Sequence, residues 1–417
     1  MPPSPLPEII TLGCRLNIAE SETIRGLVAG RDIVVVNSCA VTNEAVKQTR
    51  QAIRRARRAR PGARLVVTGC AARIDPAGFA AMPEVDRVVA NDDKLDPAAW
   101  ADNRAPRSAP APVVAFASHA RAFVGVQTGC EHACTFCAIP AGRGPSRSTP
   151  IEQAVERITA LVEAGHNEVI LTGVDLTSFA PSLGALVARI LRDVPALPRL
   201  RLSSLDSIEI DDRLFELVTQ EPRVMPHLHL SLQHGDDLTL KRMKRRHSRA
   251  QAVSLVERLK RARPDIAIGA DLIAGFPTES DAAFANTLAL LDDCDVVHAH
   301  VFPYSPREGT PAARMPQVAP ASRRERAERL RAAATARKAA WLKSLVGTTQ
   351  QIVIERPGDR GHAGNFADIM LTPRPVRPER SRRAEEVLRL RSARTVGRVE
   401  RVTVTAATPT QLIGISA

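Results

Sequence analysis

Aromatic side chains are scarce: 3% of 417 residues, with one tyrosine and two tryptophans. So few rings offer few platforms for stacking unpaired bases, which argues against modules that read single strands by stacking. Cysteine is scarce too. Seven in a chain of this length are too few for a disulfide scaffold. No run of about 18 apolar residues occurs, so no membrane-spanning helix is expected. The opening MPPSPLPEIITLGC has neither a basic n-region nor an apolar h-region, which argues against secretion. The expected compartment is the cytoplasm, where thiols stay reduced and available for metal or catalysis.

Positive charge is plentiful. The formal net charge is +13. One reading is a coding bias toward arginine. The functional reading is a polyanionic partner, because Lys and Arg release counterions from phosphates. Length and a hydrophobic content of 44% indicate two or three globular domains.

The fold class is α/β. Asp32–Asn37 (DIVVVN) reads as a buried strand, Asn43–Arg60 as an Arg-rich helix stopped by Pro61-Gly62, and Arg64–Thr68 as another strand. Strand, helix and strand with short links predict a parallel unit. Residues 1–105 form the expected N-terminal α/β domain, and the Ala- and Pro-rich stretch 106–120 a linker. Over 121–345, six strands are expected: Phe123–Gln127, Glu168–Thr172, Arg199–Ser203, His227–Leu232, Ala267–Leu272 and Val296–Phe302. Intervening helices such as Ile151–Ala164 and Arg249–Arg263 make this a partial (β/α)6 barrel. A helix over Ala321–Leu345 closes it. Residues 346–417 read as a small β-barrel, with strands at Gln350–Glu355, Val399–Ala406 and Gln411–Ile415. An Arg-dense insert at about 374–398 interrupts it, and no structure is forced on that stretch.

The strongest local signal is Gly129-Cys130-Glu131-His132-Ala133-Cys134-Thr135-Phe136-Cys137. Its spacing is C-x3-C-x2-C. Cubane iron–sulfur clusters are held by thiolates on such tight loops. Three thiolates cap three irons and leave the fourth open to the amino and carboxyl groups of S-adenosylmethionine (SAM). One electron then cleaves the sulfonium to a 5′-deoxyadenosyl radical. The competing reading is zinc, which usually wants four ligands at paired spacings; His132 is a candidate fourth, but lies inside the same loop. The loop follows the first barrel strand, at the end where such folds place chemistry.

Cys14, Cys39 and Cys70 each follow an expected strand, in EIITLGC, DIVVVNSC and RLVVTGC. Successive ends of a parallel sheet lie on one edge, so these thiols can converge there. Three unrelated buried cysteines remain the alternative. Cys294 has no partner motif and reads as a buried structural residue.

GCEHACTFCAIPAGRG resembles the SAM-binding loop of the radical-SAM methylthiotransferase family. LGCRLNIAESE, VNSCAVTNEAVKQTRQAIRR and VVTGCAAR resemble its N-terminal blocks; LTGVDLTSF, RLSSLDSIEI, HLHLSLQHGDDLTLKRMKRRHSR, ADLIAGFPTES and FPYSPREGTPAA extend the match. The resemblance implies two 4Fe–4S clusters, one on Cys130, Cys134 and Cys137 and an auxiliary one on Cys14, Cys39 and Cys70. Asn17 and Asn37 sit in the matching blocks near the latter. Phe136, Thr172, Gly173, Ser203 and Gln233 are the implied SAM contacts. GHAGNFADIMLT and RVTVTAATPTQLIGIS resemble the two ends of a TRAM domain, a small RNA-binding barrel, although the insert between them departs from that pattern.

Three of these phrases lean toward the branch acting on N6-threonylcarbamoyladenosine. The implied activity is methylthiolation of carbon 2 of that base at tRNA position 37. Other branches act on isopentenyladenosine in tRNA or on a ribosomal protein aspartate; a non-catalytic iron–sulfur RNA-binding protein is the remaining alternative. The implied partners are the tRNA anticodon stem-loop and a reductant such as flavodoxin or ferredoxin. Arg50–Arg60 and Lys241–Arg249 are candidate phosphate-holding faces.

Overall fold

In a computed structural model, residues 6–101, 119–372 and 396–416 are described. The Val/Ile run that predicts a strand forms one, because β-branched side chains favour extended backbone, and it is paired with a neighbour on each side. Four parallel strands lie in the order β1 (Glu8–Thr11), β2 (Ile33–Ser38), β3 (Arg64–Gly69) and β4 (Arg87–Val88). Every residue of β2 is buried. The helix Asn43–Ala59 starts where the Thr42 hydroxyl accepts the Ala45 N–H at 3.1 Å. It turns Thr49, Ala52, Ile53 and Ala56 inward and leaves Arg54, Arg55 and Arg58 outside. Thr11 pairs with Asn37, and Asn37 with Thr68, so β1, β2 and β3 end level with one another.

The central region holds the six expected strands. Its first half is β5 (Ala122–Gly125), with a short antiparallel pair, β6 (Gln127–Thr128) and β7 (Arg147–Ser148), followed by β8 (Glu168–Thr172) and β9 (Arg199–Leu202). The second half is β10 (Ser204–Leu205), β11 (His227–Gln233), β12 (Ala267–Ala274) and β13 (Val296–Pro303). β5-β8-β9 and β10-β11-β12-β13 pair in parallel, and only Ser203 interrupts β9 and β10. Together they make an open, partial barrel whose helices pack outside. Ile158, Leu161, Leu186, Ile190 and Leu259 are fully buried against its strands. Each such side chain is worth roughly 1.5–3 kcal/mol.

The long helix Pro320–Ser344 leads to a closed barrel of β14 (Thr349–Glu355), β15 (Arg360–Ala363), β16 (Asp368–Leu371), β17 (Val399–Ala407) and β18 (Leu412–Ser416). The barrel closes across the chain position of the Arg-dense insert; residues 373–395 lie outside the described residues, as does most of the expected linker. Strands β15 and β16 escape sequence reading because they are short and, in RGHA, carry a glycine and a histidine instead of alternating apolar residues.

This small barrel is seated on the floor of the larger one. Arg201 donates to the carbonyls of Gly364 (2.9 Å) and Ala363 (3.1 Å), and Arg199 to that of Gln351 (3.1 Å). Both guanidiniums also grip Glu168, at 2.9 and 2.7 Å. Phe366 enters beneath the strands, its ring centroid 4.9 Å from that of His227 and 4.9 Å from the Arg201 guanidinium carbon.

Candidate active site

The loop carrying the first cysteine trio hangs between β6 and β7. Gly129 opens it with φ +76°, and a Cβ there would lie 1.8 Å from the Pro145 carbonyl oxygen. Only glycine fits that turn. The Cys130 N–H donates to Gly144 O (3.1 Å). Thr135 fastens the loop to the helix Asp237–Arg242 and its cap: its N–H donates to Met243 O (3.1 Å) and its hydroxyl to Arg242 O (2.9 Å). The Gln127 amide ties the base of the loop to the end of β8. Its Nε2 donates to Gly129 O (2.8 Å), and its Oε1 accepts from the N–H groups of Val174 (3.0 Å) and Asp175 (2.9 Å).

Cys130, Cys134 and Cys137 all face one small cavity of about 130 Å3. Burial pushes the Cys137 thiol up to about 12. Arg245 compensates nearby, donating to Cys134 Sγ at 3.5 Å while held by Asp206 (2.9 Å) and Ser231 O (2.8 Å). His132 is pushed up to about 10, chiefly by hydrogen bonds to Cys130 and Glu209. Cys130, His132 and Asp175 form a mixed donor group, but it excludes the other two thiols. Three thiols lining one cavity, with a guanidinium beside them, fit an anionic thiolate-bound cluster.

The second trio comes together as the level strand ends require. Cys14 caps the helix Arg15–Leu27, Cys39 follows β2, and Cys70 begins the helix Cys70–Ile74 after Gly69. All three line one cavity of about 350 Å3. Gly13 lets Cys39 approach, since a Cβ there would lie 2.7 Å from its sulfur. Burial pushes the Cys39 and Cys70 thiols up. A buried charge group lies behind them. Arg143, from the helix after the first cysteine loop, donates to Glu20 at 2.8 and 3.1 Å and to Asn17 Oδ1 at 2.5 Å. Lys94 reaches the same Glu20 at 2.6 Å. Two cations against one carboxylate leave an excess positive charge beside three thiols, as a thiolate-ligated group needs. Asn17 donates to Ser38 O (3.1 Å), and Asn37 to Asn17 O (3.1 Å), holding the cysteine-bearing turns together.

The two cavities share a wall of Phe136, Ile139, Val174, Ser204, Ser231 and Gln233. Hence both trios open on one cleft. Gly142 sets their spacing: a Cβ there would lie 3.1 Å from that of Cys70.

Of the SAM contacts expected from sequence, Phe136 and Gln233 line both cavities and Gly173 the larger one. Gln233 holds a left-handed φ of +66°. Thr172 and Ser203 are buried and line neither, while the adjacent Ser204 lines both. Cys294 is fully buried, away from both trios. Sequence reading missed Gln127, Glu20, Lys94 and Arg143. Only Glu20 carried a signal, lying three residues beyond Asn17 on one helix face. A larger cavity of about 580 Å3, lined by Arg199, Lys260 and Trp341, lies at the floor against the small barrel, remote from the cysteines.

The basic run divides in the structure. Arg245 and Arg246 serve Asp206 and Glu209, and Arg249 pairs with Asp293, while Lys241 and Lys244 face outward. No helix among the described residues is long and apolar enough to cross a membrane.

Comparison with known proteins agrees with this geometry. Residues 124–291 match the Radical SAM superfamily, and residues 7–90 match the uncharacterized protein family UPF0004. The threonylcarbamoyladenosine tRNA methylthiotransferase MtaB of Rickettsia prowazekii is 44% identical, over 87% of this chain and 91% of its own. The protein of that name from Bacillus subtilis is 34% identical, over 77% and 78%. A tRNA-2-methylthio-N(6)-dimethylallyladenosine synthase from Erythrobacter litoralis is 31% identical, over 85% and 87%.

Proposed function

This chain belongs to the radical-SAM tRNA methylthiotransferase family, and on that premise we propose that it adds a methylthio group to carbon 2 of N6-threonylcarbamoyladenosine at tRNA position 37. The observation that carries this reading is the single cleft onto which both cysteine trios open. A cluster-bound sulfur and a radical must meet one carbon atom, so their holders must face the same space. The greater identity to the threonylcarbamoyladenosine enzyme of Rickettsia prowazekii, 44% against 31%, favours that substrate over dimethylallyladenosine.

In this reading Cys130, Cys134 and Cys137 hold one 4Fe–4S cluster and Cys14, Cys39 and Cys70 the other. When bound, the first with SAM supplies a 5′-deoxyadenosyl radical able to open an unactivated C–H bond, and the second carries the sulfur to be transferred. Arg245 and Arg143 balance thiolate charge. Phe136 and Gln233, on the shared wall, are candidate SAM contacts with Gly173. Thr172 and Ser203 act only through the backbone that positions these groups. The base of nucleotide 37 has to leave its stack to enter the cleft. Arg55 and Arg58 on the outer face of the helix Asn43–Ala59 are candidates for the phosphates of the anticodon stem-loop. The closed β-barrel is read as a TRAM-type RNA-binding unit, residues 1–105 and 121–345 as the two catalytic domains, and a flavodoxin or ferredoxin as the reductant. The cytoplasm is the proposed compartment.

Iron and sulfide counting on anaerobically purified protein tests the cluster assignment. Wild type is expected to hold about eight irons and Cys14→Ala about four. Zinc at Cys130, or undiminished turnover in Cys134→Ser, would sink it. Mass spectrometry of tRNA nucleosides from a deletion strain tests the substrate: the methylthio derivative of threonylcarbamoyladenosine must disappear.

A further inference from the structure

Three side chains of the late barrel strands bring their donor atoms to one point: His229 of β11, Asp271 of β12 and His300 of β13. His229 Nε2 lies 3.0 Å and His300 Nδ1 3.1 Å from the same oxygen, Asp271 Oδ1. All three ligand atoms lie within 4.8 Å of one another. Strand register makes the arrangement. Asp271 stands directly across from His300, and His229 directly across from Gly269, which shares a face of β12 with Asp271. Gly269 has no side chain, so the His229 imidazole can lie over it; a Cβ there would come 2.5 Å from His229 Nδ1. The two rings stand 4.5 Å apart.

This convergence is tighter than three polar neighbours require. A carboxylate offers two oxygens to hydrogen-bond donors, yet both imidazoles meet the same one. Among the described residues, no lysine or arginine lies within ion-pair distance of Asp271; its partners at that range are the two imidazoles. A carboxylate inside a fold is paired or coordinates a metal. Two ligand atoms each about 2.1 Å from one cation stand about 3.0–3.4 Å apart, from octahedral to tetrahedral angles. The separations of 3.0 and 3.1 Å fall within that range. Side-chain exposure rises along the row, from 7% for His229 through 23% for Asp271 to 61% for His300. Strand β13 is the last of its sheet, so a cation can enter from the exposed edge while the buried imidazole fixes the site from within. Unlike the group of Cys130, His132 and Asp175, this one contains no cysteine.

We propose that His229, Asp271 and His300 form a mononuclear site for a divalent transition cation such as Zn2+ or Fe2+, separate from both cysteine trios. Two imidazoles and one carboxylate suit such ions and leave coordination positions open. On binding, each imidazole gives up the N–H that it turns toward Asp271 and presents a lone pair there; the proton is then carried by its other ring nitrogen. Asp271 also lines the larger cavity, so a cation held by it stands at the wall of the cleft, its open positions available to oxygen ligands.

The test uses full-length enzyme with both clusters reconstituted anaerobically, and zinc as the probe. The protein is incubated with a small excess of Zn2+ and desalted, and its zinc and iron are counted together by plasma mass spectrometry. Wild type is expected to retain about one zinc per chain with undiminished iron. His300→Ala removes the exposed ligand, and Asp271→Asn keeps the shape but loses the charge. Each is expected to keep its iron and lose most of its zinc, with the calorimetric affinity weakened at least about tenfold. X-ray absorption at the zinc edge should show nitrogen and oxygen neighbours at about 2.0–2.2 Å. A sulfur shell at about 2.3 Å would place the zinc on cysteines and overturn the inference. So would a wild type that retains no zinc, or undiminished retention in either variant, which would leave the trio a hydrogen-bonded row and nothing more.

Discussion

Arg143 lies with its guanidinium on both carboxylate oxygens of Glu20, at 2.8 and 3.1 Å, and neither side chain exposes more than 8% of its surface. Arg143 belongs to the segment behind the Cys130 loop and Glu20 to the first helix of the N-terminal sheet. The pair therefore bolts the two halves of the cleft together from within. Glu20 serves Lys94 as well. Replacing it by Gln leaves two buried cations sharing no anion, at an expected cost of about 3–5 kcal/mol. Urea denaturation of Glu20→Gln should show a lowered midpoint with an unchanged slope; a midpoint equal to that of wild type would mean the bolt bears no load.

Gly129→Ala should unseat the Cys130 loop without touching the N-terminal cysteines. The added methyl meets Pro145 O, and φ of +76° disfavours any side chain. The expected outcome is loss of about four of eight irons and of 5′-deoxyadenosine formation, with the sulfide count falling in step. Full iron retention would contradict the loop geometry.

Glu168 gives the junction with the small barrel a pH signature. Burial alone would raise its carboxyl, but Arg201 and Arg199 outweigh that and hold it at about 2, below the ordinary value of 4.5. A depressed acid stabilises the fold above its unfolded pKa and loses that contribution as pH falls through the folded one. Of order 3 kcal/mol should therefore vanish between about pH 4.5 and 2. In Glu168→Gln, acid titration of stability on the cluster-free protein should lose that part of its slope. A profile identical to wild type would refute the pairing.

Phe366→Ala removes the ring from among Arg15, Arg121, Arg201 and His227. Truncating a packed phenylalanine costs roughly 3 kcal/mol, here concentrated at the seat of the C-terminal barrel. Limited proteolysis should cut faster after the helix Pro320–Ser344, and stem-loop affinity should fall severalfold. Unchanged cutting would show that the arginine-to-carbonyl bonds alone hold the seat.

Much of this was legible because strands and cysteine spacings are local patterns. DIVVVN reads as a buried strand, and three cysteines at the ends of parallel strands can meet on one edge, as Cys14, Cys39 and Cys70 do on one cavity. The six barrel strands follow from the same periodicity, with ends shifted by a residue or two. What stayed hidden depends on long-range register. Glu20 meets Lys94 and Arg143 across 74 and 123 residues, and no spacing rule reaches that far. His229, Asp271 and His300 align only once β11, β12 and β13 are paired. Phe366 carries no local pattern, since its ring meets His227, His298 and Arg201 of the larger barrel only once the two barrels are seated. Ser203 and Ser204 stand side by side, and because a strand alternates faces one residue of register decides which serine meets the cavity.

The seat of Gly142 on Cys70 works as a gauge. Because Gly142 has no side chain and a Cβ there would lie 3.1 Å from that of Cys70, the close approach of the two cysteine-bearing segments rests on backbone contact and not on a rotamer. A descendant of this enzyme seeking a new base could not stretch that span without dislodging both loops. It would have to re-dress the far wall instead, which makes reach the constant of this architecture and taste its variable.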